Sequence, residues 1–189
     1  MISAILLAAG KSTRMINENK LSKNYDGIPL IKHSVKNILS SNINELIIVL
    51  GYQNETIKSL IDYDRKIKFI YNKEFENGMA SSIKAGIKNL SEKTQAFFVC
   101  LGDMPFVSKD VYNKLIKSKK NEKIIAPIFE SRRGHPVLFD ISMKNEIMLI
   151  SGDVGAKEIL KKNKDKIFNL EINDQGIIQD FNTQDNFIS

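Results

Sequence analysis

The sequence predicts a three-layer α/β/α domain, Rossmann-like, built on a mostly parallel sheet. Short apolar runs recur between turn residues: Ile2 to Leu7, ELIIVL from Glu45 to Leu50, and QAFFVCL over residues 95 to 101. Runs of this kind are strands buried on both faces, as in a parallel sheet. Segments with apolar residues at helical spacing alternate with them, which implies right-handed crossovers and helices on both faces. The 189 residues suffice for a core of ordinary size, so a single domain over residues 1–189 is expected.

The first strand runs into Ala8, Ala9 and Gly10, then into Lys11, Ser12, Thr13 and Arg14. Small residues let backbone approach a ligand, and two cations and two hydroxyls follow. A buried strand ending in such a loop is the usual ligand position of an open α/β sheet, and the loop suits phosphates. It is not a P-loop: GxxxxGK[ST] would need glycine where Ile5 stands, and the chain continues INENKLSKNYDG rather than into a helix.

Gly27-Ile28-Pro29 marks a turn, and Ile31 to Ser41 a helix with Ile31, Val35, Ile38 and Leu39 on one face. The second strand is followed by a short helix, Glu55 to Ile61, and a third strand, Ile67 to Tyr71. After the loop KEFENG, Gly78 opens a helix with Met79, Ile83, Ile87 and Leu90 at helical spacing. The strand at 95 to 101 passes at once into Gly102-Asp103-Met104-Pro105. Ser108 caps a helix from Lys109 to Lys117, and Lys123 to Phe129 is a further strand. The basic loop RRGHP leads into another short strand. Ser151-Gly152-Asp153-Val154-Gly155 is a turn before a helix, Ala156 to Asn163, whose lysines form a solvated face. Short strands at Ile167 to Ile172 and Ile177 to Phe181, then a helical turn from Asn182, close the chain.

Lys and Arg number 28 against 22 Asp and Glu, a formal charge of +6 that suits anionic ligands. The lysines are interleaved with acids rather than clustered with aromatics, which argues against nucleic acid. Cys100 is the single cysteine, so no disulfide framework exists within the chain, and a lone thiol fits a cytoplasmic protein. No apolar run approaches the ~20 residues of a membrane span, and no signal peptide is expected. Cys100 is expected to pack within its strand, and His33 to lie on a helix surface or at a cap.

Asp103 stands immediately beyond the carboxyl end of an apolar strand, where a carboxylate is costly unless paired or metal-bound. A helix cap or an ion pair with a basic residue would satisfy it. So would Mg²⁺, which uses one or two carboxylates together with substrate phosphates, and both loops leave the carboxyl ends of strands. His135, between Gly134 and Pro136, has no second His or Cys at ligand spacing, so it is expected to hydrogen-bond rather than hold a metal.

In order along the chain, LLAAGKSTRM with a later lysine, GMASSIKAG, LGDMP, RGHPVLF, SGDVGAKEIL and a DxNT-type end resemble the molybdenum cofactor nucleotidyltransferases, most closely their cytidylyltransferase branch. The resemblance covers nearly the whole chain. It implies transfer of CMP from CTP to the phosphate of molybdopterin, with Mg²⁺ as cofactor and a client molybdoenzyme or its chaperone as partner. It also implies roles. Leu7, Ala8, Ala9, Gly10, Lys11 and Ser12, with Arg14, would bind the triphosphate, and Lys20 would reach the phosphates. Gly78, Met79, Ser81 and Ser82 would lie near ribose and base. Asp103 would hold the metal, with Asp180 as a second carboxylate. Arg133, His135, Gly152, Asp153 and Gly155 would face the pterin. LAAG at the first loop goes with CTP, where LAGG goes with GTP. The sequence departs from the family at Ile16, where glycine is usual, so that Lys23 competes with Lys20 for the lysine position. It departs again at Asn182, where a carboxylate is usual. A sugar or polyol phosphate acceptor, and a cofactor-carrying accessory protein without turnover, are the alternatives.

Overall fold

The computed structural model describes residues 1–11, 19–153 and 155–181. In chain order the elements are β1 (Ile2–Ala8), β2 (Asn24–Tyr25), β3 (Ile28–Pro29), α1 (Leu30–Leu39), β4 (Glu45–Leu50), α2 (Asn54–Ser59), β5 (Ile67–Tyr71), α3 (Met79–Lys88) and β6 (Ala96–Leu101). There follow α4 (Lys109–Ser118), β7 (Ile124–Phe129), β8 (Arg132–Arg133), β9 (Val137–Asp140), α5 (Lys144–Ile147), α6 (Ala156–Lys162) and β10 (Ile167–Glu171), with single 3₁₀ turns between several of them.

The main sheet has the order β10-β7-β9-β6-β1-β4-β5, with β8 paired to β7. The pairs β1–β4, β1–β6, β4–β5 and β10–β7 are parallel, while β9 runs antiparallel to both neighbours. The mostly parallel sheet expected from the apolar runs is therefore present. β1 lies between β4 and β6, and the chain leaves it in opposite directions on the two sides. That is the topological switch point, where open α/β sheets bind ligands at the carboxyl ends of their strands.

Alternate strand residues feed two cores, one on each face. Leu6, Ile48, Phe98 and Cys100 pack with Ile31, Val35, Ile38, Val111 and Leu115 from α1 and α4. Ile5, Ile47, Val49, Phe97 and Val99 pack with Ile83 and Ile87 from α3 and with Ile147 and Ile159 from α5 and α6. This is the three-layer arrangement. The helix α3 sits especially close to the central strand: a Cβ at Gly86 would lie 2.3 Å from the Ile5 Cγ2.

The expected strand from Ile177 to Phe181 is instead a 3₁₀ turn, Gln175–Ile178, followed by extended chain. The Asp174 carboxylate accepts from the Gly176 N–H at 2.9 Å, which supplies a local alternative to a ladder. The remaining backbone groups bond to loops: His135 N–H donates to the Ile177 carbonyl at 2.8 Å, and Phe181 N–H to the Asp103 carbonyl at 3.0 Å. The helical turn expected from Asn182 lies outside the described residues. Among the described residues no helix is long and apolar enough to cross a membrane.

Candidate active site at the carboxyl ends of the parallel strands

A cleft of about 770 Å³ opens at the switch point. One wall is the end of β1, Leu7 to Lys11, together with Lys20, Leu21, Leu101 and Asp103; the other is Phe75 to Met79 with Ser82 and Asp153.

The first wall is held by backbone. Gly102 N–H donates to the Leu7 carbonyl at 3.0 Å, so the two loops leave the sheet tied together. Ser34 Oγ donates to the Gly102 carbonyl at 3.0 Å, and Asn37 Nδ2 to the Pro105 carbonyl at 2.9 Å, which fastens the Asp103 turn to α1. Asn19 caps the 3₁₀ turn Lys20–Ser22 by accepting from Leu21 N–H at 3.1 Å. From that turn the Lys20 ammonium forms an ion pair with the Asp103 carboxylate, each side chain only 19% exposed.

An aromatic cluster braces this corner. Tyr25 packs edge-on against Phe181 at 4.9 Å and Phe106 at 5.5 Å. It also meets His33, whose Nε2 lies 2.8 Å from the Tyr25 carbonyl. The β2–β3 hairpin, the Asp103 turn and the C-terminal segment are thus fixed on one another, and His33 belongs to that brace rather than to open surface.

The second wall depends on Gly78, whose φ of +92° is open to glycine and strained for other residues. A Cβ there would fall 2.5 Å from the Gly152 carbonyl carbon. The turn at 151–153 docks onto the start of α3: Asp153 accepts from Met79 N–H at 3.2 Å, and the Gly152 carbonyl from Ala80 N–H at 3.2 Å. These bonds satisfy donors that a helix start leaves open, and the carboxylate suits that end of the helix dipole. Ser81 Oγ donates to the Gly78 carbonyl at 2.9 Å, and Asn72 Nδ2 donates to Ser81 and Ser82 at 2.8 and 3.1 Å.

The structure therefore brings Leu7, Ala8, Ala9, Gly10, Lys11, Lys20, Gly78, Met79, Ser82, Asp103 and Asp153 to one cleft. Ser81, Gly152 and Gly155 shape its rear wall; a Cβ on Gly155 would meet the Met79 sulfur at 2.6 Å. Ser12 and Arg14 lie outside the described residues. Arg133 stands apart. It is exposed, and its Nε donates to Asn169 Oδ1 of the edge strand β10 at 2.8 Å, β8 being paired with β7.

His135 lies behind the Asp103 corner with its Nδ1 buried and without a hydrogen-bond partner among the described residues. Burial pushes its imidazole below the ordinary value, against the pull of the Asp103 and Asp180 charges. Those two carboxylates thus face the same region, although Asp180 is exposed. Among the described residues no group of three or more His, Cys, Asp or Glu converges on a metal position. Asp103, with Asp180 nearby, is the sparse oxygen donor set that Mg²⁺ uses alongside phosphates, and the residues fit that ion.

Among the lining residues that the sequence did not single out are Phe75, Glu76 and Asn77. Lys11 forms an ion pair with Glu76 and lies 5.8 Å from the centre of the Phe75 ring. Their signal was positional: KEFENG follows the carboxyl end of β5, on the same side of the sheet as the first loop.

Residues 4–167 match the MobA-like NTP transferase domain. The chain belongs to that family. Molybdenum cofactor cytidylyltransferase of Escherichia coli K12 is 27% identical over 188 residues, covering 100% of this chain and 94% of that protein. Nicotine blue oxidoreductase of Paenarthrobacter nicotinovorans is 25% identical, covering 96% and 92%. The crystal structure of Rv0371c from Mycobacterium tuberculosis H37Rv superposes with a TM-score of 0.86 at 19% identity, covering 98% of this chain and 94% of that one, and shares the fold. This MobA-like transferase is, at the level of the family, a nucleotidyltransferase.

Proposed function

We propose that the protein transfers CMP from CTP to the terminal phosphate of molybdopterin or its metal-loaded form, releasing pyrophosphate. The observation that carries the reading is the junction of a small-residue loop, a lysine and a carboxylate at the sheet's switch point. An oxygen of the acceptor phosphate forms a bond to the α-phosphorus of CTP, and the bond from that phosphorus to the β-bridging oxygen breaks. A phosphate monoester has its second pKa near ~6, so it is a nucleophile at neutral pH without a general base. The chain's residues then have to position and neutralise. The amides after β1 and Lys11 and Lys20 receive the polyphosphate, and Arg14 joins them by resemblance. Asp103, with Asp180, would hold Mg²⁺, which supplies Lewis-acid neutralisation of phosphate charge. LAAG supports CTP, and full-length similarity to a cytidylyltransferase supports the acceptor. The single buried thiol Cys100 accords with a cytoplasmic setting, and the product passes to a client molybdoenzyme or its chaperone.

A second reading, transfer to a smaller sugar or polyol phosphate, draws on the position of Arg133, which bonds to Asn169 at the sheet edge rather than entering the cleft. Pyrophosphate release with CTP, GTP and ATP, each with molybdopterin and with sugar phosphates, tests both. Release with CTP and molybdopterin alone is expected. Release with GTP would overturn the base assignment, and release only with a sugar phosphate would overturn the acceptor. CTP binding without any release would favour an accessory protein.

A further inference from the structure

The two cations of the described cleft are both held on carboxylates, but in different ways. Lys11 and Glu76 are 46% and 64% exposed, so water screens their attraction. Lys20 and Asp103 are 19% exposed each and face each other across the corner where the first loop and the Asp103 turn meet. The carboxylate that would hold a divalent cation is thus already in contact with a cation of the chain's own.

We propose that Lys20 guards Asp103 in the free protein, so that a divalent cation gains this carboxylate only when phosphate draws the lysine away. The inference rests on the nucleotidyltransferase reading above. An ammonium and a divalent ion repel on one carboxylate, and in a half-buried corner that repulsion is weakly screened. The mobile partner is the lysine. Asp103 is fixed through Gly102 N–H on Leu7, Ser34 on the Gly102 carbonyl and Phe181 N–H on its own carbonyl. Lys20 stands on the turn capped by Asn19 and carries its charge on a flexible four-carbon stem, longer than the Asp103 side chain. Metal and nucleotide therefore bind with positive coupling, and by linkage each tightens the other equally. The protein does not load metal from solution ahead of its nucleotide.

Mn²⁺ titrated without nucleotide, with the free aquo ion followed by electron paramagnetic resonance, tests this directly. Lys20→Gln is expected to bind Mn²⁺ about tenfold tighter or more than the wild type, the scale on which groups around metal ligands act. Lys11→Gln removes the same charge from the same cleft and is expected to shift affinity far less. Adding Asp103→Asn to Lys20→Gln is expected to abolish the gain. No gain in Lys20→Gln, an equal gain in Lys11→Gln, or a gain that survives Asp103→Asn would overturn the proposal. Lys20→Met serves the same arm if the glutamine variant misfolds. Calorimetry of CTP on the wild type separates the two readings: absent CTP binding would sink the nucleotidyl reading, whereas intact CTP binding with no metal gain would sink only the guard.

Discussion

Two ion pairs of similar burial sit at opposite ends of the sheet. Lys20–Asp103 stands at the carboxyl ends of β1 and β6; Lys119–Asp140, at 3.0 Å with side chains 13% and 20% exposed, stands at the amino end of β6. At the amino end the carboxylate also accepts from Ser142 N–H at 3.0 Å and Ser142 Oγ at 2.6 Å, with Lys123 at 3.6 Å. Its donors are all close in space and already in place, so the pair serves the fold. Asp103 instead faces a cleft large enough for a nucleotide. Equal burial thus gives unequal roles: Asp140 is already met by Ser142 and two lysines, whereas Asp103 faces the larger cleft.

The contrast is sharpest under substitution. Asp103→Ala is expected to lower the rate of pyrophosphate release on the order of 10²- to 10³-fold, as loss of a principal electrostatic group does, with thermal stability little changed. A large fall in melting temperature with residual activity would place Asp103 with Asp140 instead. Gly78→Ala tests the cleft's rigid wall. Strained φ and the clash with Gly152 should cost about 1–3 kcal/mol in denaturant unfolding, whereas Gly10→Ala, with no atom of the described residues within 4 Å of its Cβ, should unfold like wild type.

At the amino end the readout is acid stability. Burial raises the Asp140 carboxyl, but the Ser142 hydroxyl and N–H and the Lys119 ammonium outweigh it and bring it to about 2. A depressed folded-state value gives stability that is present above the unfolded value near ~4 and is lost as pH falls toward about 2. Asp140→Asn should therefore lose about 1 kcal/mol near neutral pH after allowance for solvent screening, with a flatter acid limb and unaltered activity. An unchanged acid limb would contradict the pairing. The smallest effect is expected at Glu76→Gln. Its exposed pair should contribute under about 1 kcal/mol to stability, and CTP affinity should rise slightly as Lys11 is released; weaker CTP binding would show Glu76 to be a ligand.

The sheet was legible because its strands are apolar on both faces, as in ELIIVL and FFVCL, and because each ends at a small or turn residue. The pairing of Asp103 with a basic residue was among the readings open from the sequence, and the structure supplies Lys20. Less legible were features made by tertiary contact. The segment 177–181 has strand-like composition but spends its backbone groups on Asp174, His135 and Asp103, which no local pattern shows. Arg133 opens the RGHP motif, yet the chain turns back along β7 there and the side chain bonds to Asn169 of the edge strand β10 instead of lining the cleft. The 151–153 turn was legible as a turn; its docking on α3 was not, because Gly78 and Gly152 are far apart in sequence and carry no side chain to announce the contact.

The bare seam between Gly86 and Ile5 has a consequence for how this protein can drift in sequence. With only the Ile5 side chain between β1 and the Gly86 backbone, the strand that ends in the first loop and the helix that begins at the opposite wall approach closely at this point. A bulkier residue at either position would wedge the two apart and widen the cleft at its floor. Variants there should therefore change what the cleft admits, and core mutations in β1 or α3 become a route to altered ligand preference in descendants of this chain.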